Sequence, residues 1–214
     1  MRLRKIARAI AVTMAVIVGA GIGPVMIPSG AVLAAVPAGA ELNIDSTSVL
    51  SEGTVENASG EGWTYDSETN TLALTDYSGE SITGSSLGDL TIAVEGECEV
   101  SGGMNLAGDY ANSITIRGEN SGALYLSKNN ASTLNIRNTN LIIGTESGGY
   151  LWLESAAFSS NDSEIYAINT EGTITINGGQ NGGQIYADLF GSNYDSPAVG
   201  TGGGIFAGGG ITVN

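Results

Sequence analysis

Ile165-Tyr166-Ala167, Ile185-Tyr186-Ala187 and Ile205-Phe206-Ala207 share one pattern, an aromatic between two apolar residues, and their rings fall twenty residues apart. A fixed period near twenty, in a chain of short β runs and glycine turns, marks a stacked β architecture. Strand neighbours in such a stack lie roughly 4.8 Å apart, so one ring per winding would build a continuous strip. Side chains alternate along a strand, which turns each Ile and Ala inward and each ring outward. An outward strip of Tyr166, Tyr186 and Phe206 suits an extended polymer. The competing role is a cross-strand stack, worth about 0.2–1 kcal/mol per pair.

Working outward from these triplets, the same period-two alternation recurs in Leu90-Thr91-Ile92, Ile114-Thr115-Ile116, Leu134-Asn135-Ile136, Leu151-Trp152-Leu153, Ile174-Thr175-Ile176 and Ile211-Thr212-Val213. The first three lie 24 and 20 residues apart. Gly and Asn turns separate the runs, and both residues tolerate the left-handed backbone of a sharp corner. No 3.6-residue apolar period of helical length follows the first forty residues. The fold expected is all-β, a right-handed parallel β-helix of about six windings at about twenty residues each. A β-sandwich also accommodates short strands with regular turns, but the recurring aromatics and aliphatics favour the helix. Trp152 in Leu-Trp-Leu and Tyr125 in Leu-Tyr-Leu also point outward by alternation. Their spacing to the triplets is no multiple of twenty, which assigns them to neighbouring faces.

Residues 41–80 read differently. Gly62 to Leu74 is two alternating strands around a polar turn, a hairpin. An open end of stacked strands exposes unpaired backbone and apolar core, so this hairpin, with Tyr77 after it, is expected to act as an N-terminal cap. Residues 81–214 would form the β-helix. Its last segment, Ile211-Thr212-Val213-Asn214, stops within a strand-and-turn pattern and reads as part of a longer stack, or as an edge paired with another molecule.

The first forty residues have the pattern of a secretory signal peptide: Arg2, Arg4, Lys5 and Arg8, then an apolar run, then small residues ending at Ala38-Gly39-Ala40. Glycines and prolines in the run argue against a retained membrane anchor. The 22 acidic residues all follow position 40, against only Arg117, Lys128 and Arg137, leaving residues 41–214 a formal charge of −19. Such a surface repels nucleic acid and anionic lipid. Export implies a secreted or cell-surface protein. A single cysteine, Cys98, allows no intrachain disulfide, and its acidic neighbours Glu97 and Glu99 are expected to raise its pKa.

Arg117 and Arg137 follow equivalent strands and are expected to project from adjacent windings, where an anionic ligand such as a uronate could lie between them. Pairing with acids such as Glu95 and Glu154 is the competing role. No cofactor is required. Calcium fits the acidic surface, with Asp188, Asn193 and Asp195 as a suggestive cluster in a turn-rich segment, although no run matches a known calcium loop. The absence of histidine excludes Ser-His-Asp and Cys-His schemes and histidine-ligated zinc. A polysaccharide lyase could use Lys128, the only lysine after residue 40, which is expected in a turn. The chain reads as a binding protein, not an enzyme.

Gly62-Trp63-Thr64-Tyr65-Asp66, Thr69 through Thr75, Gly88 through Gly96 and Gly172 through Gly179 together resemble secreted bacterial carbohydrate-binding-domain-containing proteins, whose segments read GW-x-YD, TNTLTL, GDLTI and GTITINGG. That resemblance implies a right-handed β-helix binding plant-wall polysaccharide, acidic pectin-like chains included. The expectation is non-catalytic polysaccharide binding, with Tyr166, Tyr186, Phe206 and Trp152 stacking sugar rings and Arg117 and Arg137 at the rim. The alternative is a structural or adhesive surface protein, and after it a calcium-assisted lyase.

Overall fold

Alternating apolar residues and left-handed corners yield strands throughout. The computed structural model describes residues 36–51, 55–144, 149–160, 164–178, 183–191 and 202–214. All regular elements there are strands. The first are β1 (Glu41–Ile44), β2 (Thr47–Leu50), β3 (Ala58–Gly60), β4 (Trp63–Asp66), β5 (Thr71–Thr75), β6 (Ser78–Gly79) and β7 (Ile82–Ser85). Then come β8 (Leu90–Val100), β9 (Met104–Ala107), β10 (Ser113–Asn129), β11 (Leu134–Arg137), β12 (Asn140–Ile143) and β13 (Tyr150–Phe158). The last are β14 (Ile165–Thr170), β15 (Thr173–Ile176), β16 (Gly183–Phe190), β17 (Gly202–Ala207) and β18 (Gly210–Val213). Residues 1–35 of the forty read as a leader, and Asn193 and Asp195, lie outside the described residues.

Two sheets contain these strands, one of seven and one of eleven. Among the described residues, antiparallel strand pairs lie in the N-terminal part, where β1 meets β2 and β7, and β3, β4 and β5 form a meander; a single antiparallel bridge joins Gly118 to Gly149. From β5 onward the strand-to-strand pairing is parallel, in three columns. The first column is β7–β9–β11–β14–β17. The second joins β5, β8, the first half of β10, β12, β15 and β18. The third joins the second halves of β8 and β10 to β13 and β16. From β9 on, the chain visits the columns in a repeating order.

Each column buries stacked rows of apolar side chains. Leu90, Ile114, Leu141 and Ile174 succeed one another in register and are essentially solvent-free. So do Met104, Leu134 and Ile168 in the first column, and Cys98, Leu124 and Leu153 in the third. Such side chains each contribute about 1.5–3 kcal/mol of burial.

These registers correct the expected twenty-residue winding. Leu72 pairs with Ile92, twenty residues on, but Ile92 pairs with Ile116, and Ile174 with Ile211. The sequence distance between stacked neighbours therefore lengthens from 20 to 37. Leu134-Asn135-Ile136 and Leu151-Trp152-Leu153 do not continue the stack of Leu90 and Ile114; they belong to the other two columns. Every column uses the same apolar-other-apolar triplet, so spacings along the chain mix steps between columns with steps within one.

Candidate functional site

Alternation in the third column turns Glu97 and Glu99 of β8, Tyr125 of β10, Trp152 and Glu154 of β13, and Tyr186 and Asp188 of β16 to the outer face, opposite buried Cys98, Leu124 and Leu153. Register places Glu99, Tyr125, Glu154 and Tyr186 in one row across four strands. The adjacent row runs Glu97, Ala123, Trp152 and Gln184. Trp152 and Tyr186 touch, with ring centroids 4.8 Å apart and planes 30° from parallel. Tyr125 and Tyr186 stay open to solvent, at 37% and 44%. Tyr125, Trp152 and Tyr186 thus stand on three successive strands of one face. Farther along β13 and β16, Phe158 stacks on Phe190 at 5.6 Å.

Two shallow depressions flank Tyr125. One is lined by Glu99, Ser127 and Glu154, the other by Glu97, Tyr150 and Trp152. The Trp152 indole N–H is buried and meets no acceptor, the single such side-chain atom among the described residues. An orphaned donor of this kind is costly in a folded protein. The Tyr186 hydroxyl donates to Gln184 Oε1 at 2.8 Å, which fixes its ring beside the indole.

The proposed strip of Tyr166, Tyr186 and Phe206 divides. Each ring faces outward, but Tyr186 belongs to the third column and the other two to the first. Tyr166 and Phe206 contact each other at 5.0 Å, although Phe206 is in register with Asn169 and Tyr166 with Gly203. The twenty-residue spacing joins strands of different columns, so it never described one line. Tyr186 instead lines up with Trp152 and Tyr125, which the period had assigned elsewhere. The Tyr166 hydroxyl donates to Glu164 Oε1 at 2.6 Å, and that bond raises its pKa.

Arg117 and Arg137 are not neighbours. Arg117 pairs with Ala93 in the second column and Arg137 with Ala107 in the first. The guanidinium of Arg117 forms an ion pair with Glu119, two residues on, rather than with Glu95 or Glu154. Glu95 accepts from the Asn120 side chain at 2.8 Å. Lys128 lies on β10, not in a turn, half-buried in register with Ala157 and Leu189 on the inner side. Asp188 also sits on a strand, exposed on β16. Among the described residues no three acidic or thiol groups converge to hold a metal ion.

Cys98 is buried and reduced. Burial raises its pKa and the Asp76 charge adds to the rise, although backbone hydrogen bonds oppose it. Glu97 and Glu99, expected to be the cause, point to the opposite face.

Alternation in three further triplets carried a signal that period counting missed. Asn105, Asn135 and Asn169 stand in register on the outer face of the first column, and their amides bond in series: Asn135 Nδ2 donates to Asn105 Oδ1 at 3.0 Å and Asn169 Nδ2 to Asn135 Oδ1 at 2.8 Å. Phe206 follows Asn169 in that row. Asn105 and Asn135 are each the polar member of an apolar-Asn-apolar triplet, and Asn169 lies between Ile168 and the buried Thr170. No protein-family model matches the chain, and no curated protein or solved structure does either.

Proposed function

We propose that this chain is an exported right-handed parallel β-helix, capped by the β3–β5 meander, that binds extracellular polysaccharide without catalysis. The repeating visits to three parallel columns support the helical reading. The observation that carries the binding reading is the run of Tyr125, Trp152 and Tyr186 on three successive strands of one outer face. Sugar rings present C–H faces that stack on aromatic planes, and carboxylates and amides around the rings accept or donate to hydroxyls. A rigid sheet spaces these contacts evenly, so affinity accumulates along a polymer without a conformational step. Tyr166, Phe206 and the asparagine row form a second, weaker platform on the first column. Calcium is not needed for this mode of binding.

Retention on insoluble polysaccharide tests the reading. Trp152→Ala and Tyr186→Ala should each weaken binding on the order of tenfold, the loss of one aromatic contact, with circular dichroism and melting unchanged. Tyr166→Ala should have the smaller effect. Equal retention of wild type and a folded Trp152→Ala/Tyr186→Ala double variant would reject the aromatic face. Adhesion to cells without retention on any polysaccharide would favour the adhesive alternative.

A further inference from the structure

Four carboxylates stand around the rings of the aromatic face. Glu97, Glu99 and Asp188 are exposed and Glu154 is half-buried. Their side chains take part in no ion pair or hydrogen bond with a described residue. All three cations of residues 41–214 are elsewhere: Arg117 is paired with Glu119 beyond the corner of β10, Arg137 is on the other sheet, and Lys128 is on the inner side of its strand. In the row Glu99–Tyr125–Glu154–Tyr186, carboxylate and phenol alternate from strand to strand. The depression beside Tyr125 has Glu99 on one side and Glu154 on the other. Uncompensated like charges weaken a sheet, and this face carries them around its most exposed rings.

From this charge pattern, and resting on the polysaccharide reading above, we propose that the Tyr125–Trp152–Tyr186 face takes a glycan bearing protonated amino groups, a de-N-acetylated amino-sugar polymer, and rejects polyuronates. An amino sugar offers a C–H face for each ring and an ammonium for each adjacent carboxylate. Ammonium groups are attracted to Tyr and Trp faces as well as to carboxylates. No three of the carboxylates converge on one point, so positive charge brought by the ligand and spread along the rows matches them better than a single bound metal ion. A uronate chain would bring its own carboxylates against Glu99 and Glu154. It would be repelled.

The full chain would be titrated with chitosan oligosaccharide, its N-acetylated chitin counterpart and polygalacturonate, at a pH where the amino groups are protonated, with and without EDTA, at low and physiological salt. Chitosan should bind at least about tenfold more tightly than chitin, and its affinity should fall with salt, as exposed charge pairs are screened. Glu154→Gln should weaken chitosan roughly threefold and Glu99→Gln/Glu154→Gln roughly tenfold, as exposed pairs of up to ~1 kcal/mol dictate, with chitin unaffected. Trp152→Ala should weaken both glycans. Chitin bound as tightly as chitosan, or polygalacturonate bound in an EDTA-sensitive way, would overturn the amino-sugar assignment and leave the polysaccharide reading standing. Polylysine bound as tightly as chitosan, with Trp152→Ala inert, would also overturn it, making the face a general cation surface. Failure of every glycan would remove the polysaccharide reading itself.

Discussion

Asn70 has a left-handed backbone, φ 47°, and no solvent exposure. Its Oδ1 accepts from the Tyr65 hydroxyl at 2.8 Å, and its Nδ2 donates to the carbonyls of Leu87 and Asp89 at 2.8 and 3.0 Å. One amide thus ties the β4–β5 hairpin to the entry of β8. The Tyr65 hydroxyl pKa is pushed up to about 12, by burial and then by the Asp66 charge, so the phenol remains a donor at any ordinary pH. Asn70→Ala would strand three polar groups in a dry site, and Asn70→Asp would set a carboxylate against two carbonyls. Either variant should lose roughly 3 kcal/mol, since each buried unpaired group costs about 1–3 kcal/mol. Urea denaturation measures this. A midpoint equal to wild type would show that the amide clamp contributes nothing. Sequence reading placed Asn70 in a polar turn, because asparagine between threonines resembles a solvated loop. Its burial depends on Leu87 and Asp89, which lie 17 and 19 residues away.

At the scale of elements, corners decide the columns. Strand β10 crosses from the second column to the third at a register shift: Gly118 faces Val94 and Gly122 faces Gly96. The residues between them form a bulge against Glu95, with Asn120 at φ 51° and Gly96 opposite at φ 72°. Gly122 has little room, because a Cβ there would strike the carbonyl oxygen of Val94. Gly122→Ala should therefore destabilise by about 1–3 kcal/mol, as overpacking against a rigid neighbour does. Asn120→Gly should stay within about 0.5 kcal/mol, because glycine adopts the left-handed corner freely. Thermal melts of the two variants distinguish them, and an unchanged melt for Gly122→Ala would mean the corner yields. Alternation revealed every triplet as a strand, with its apolar members buried or half-buried as far as β16 and exposed at Ile205, Ile211 and Val213 in β17 and β18. Column membership was not legible, because Leu134-Asn135-Ile136 and Ile114-Thr115-Ile116 differ in no local property. Only the corner geometry separates them, and the glycines and asparagines that make corners are too frequent here to show which ones turn the chain. The same ambiguity drew Tyr186 toward Tyr166 and away from Trp152.

For the molecule as a whole, charge opposes compaction. Residues 41–214 carry a formal −19, and a net charge that large repels itself in the folded state. Raising ionic strength from about 0.01 to 0.15 M shortens the screening length from roughly 30 to 8 Å. The melting temperature should rise accordingly, by about 2–4 °C for each kcal/mol of repulsion removed in a chain of this length. Asp45 works in the other direction. Burial pushes its carboxyl up, but the amides of Ser81 and Glu80, at 2.9 and 2.6 Å, and the Tyr77 hydroxyl, at 2.9 Å, outweigh this and hold it below its ordinary 3.8. A depressed folded-state value means stability that is present above the ordinary carboxylate pKa and lost as pH falls through the depressed one. Asp45→Asn keeps an oxygen for the two amides but gives the Tyr77 hydroxyl no anion to meet. At neutral pH it should cost about 1 kcal/mol, the net worth of one part-buried hydrogen bond. Toward the acid end the melting curves of variant and wild type should converge, because wild-type Asp45 is then protonated as well. Curves that run parallel across the whole pH range would show that the carboxylate of Asp45 does not link the turn after β1 to the segment between β5 and β7.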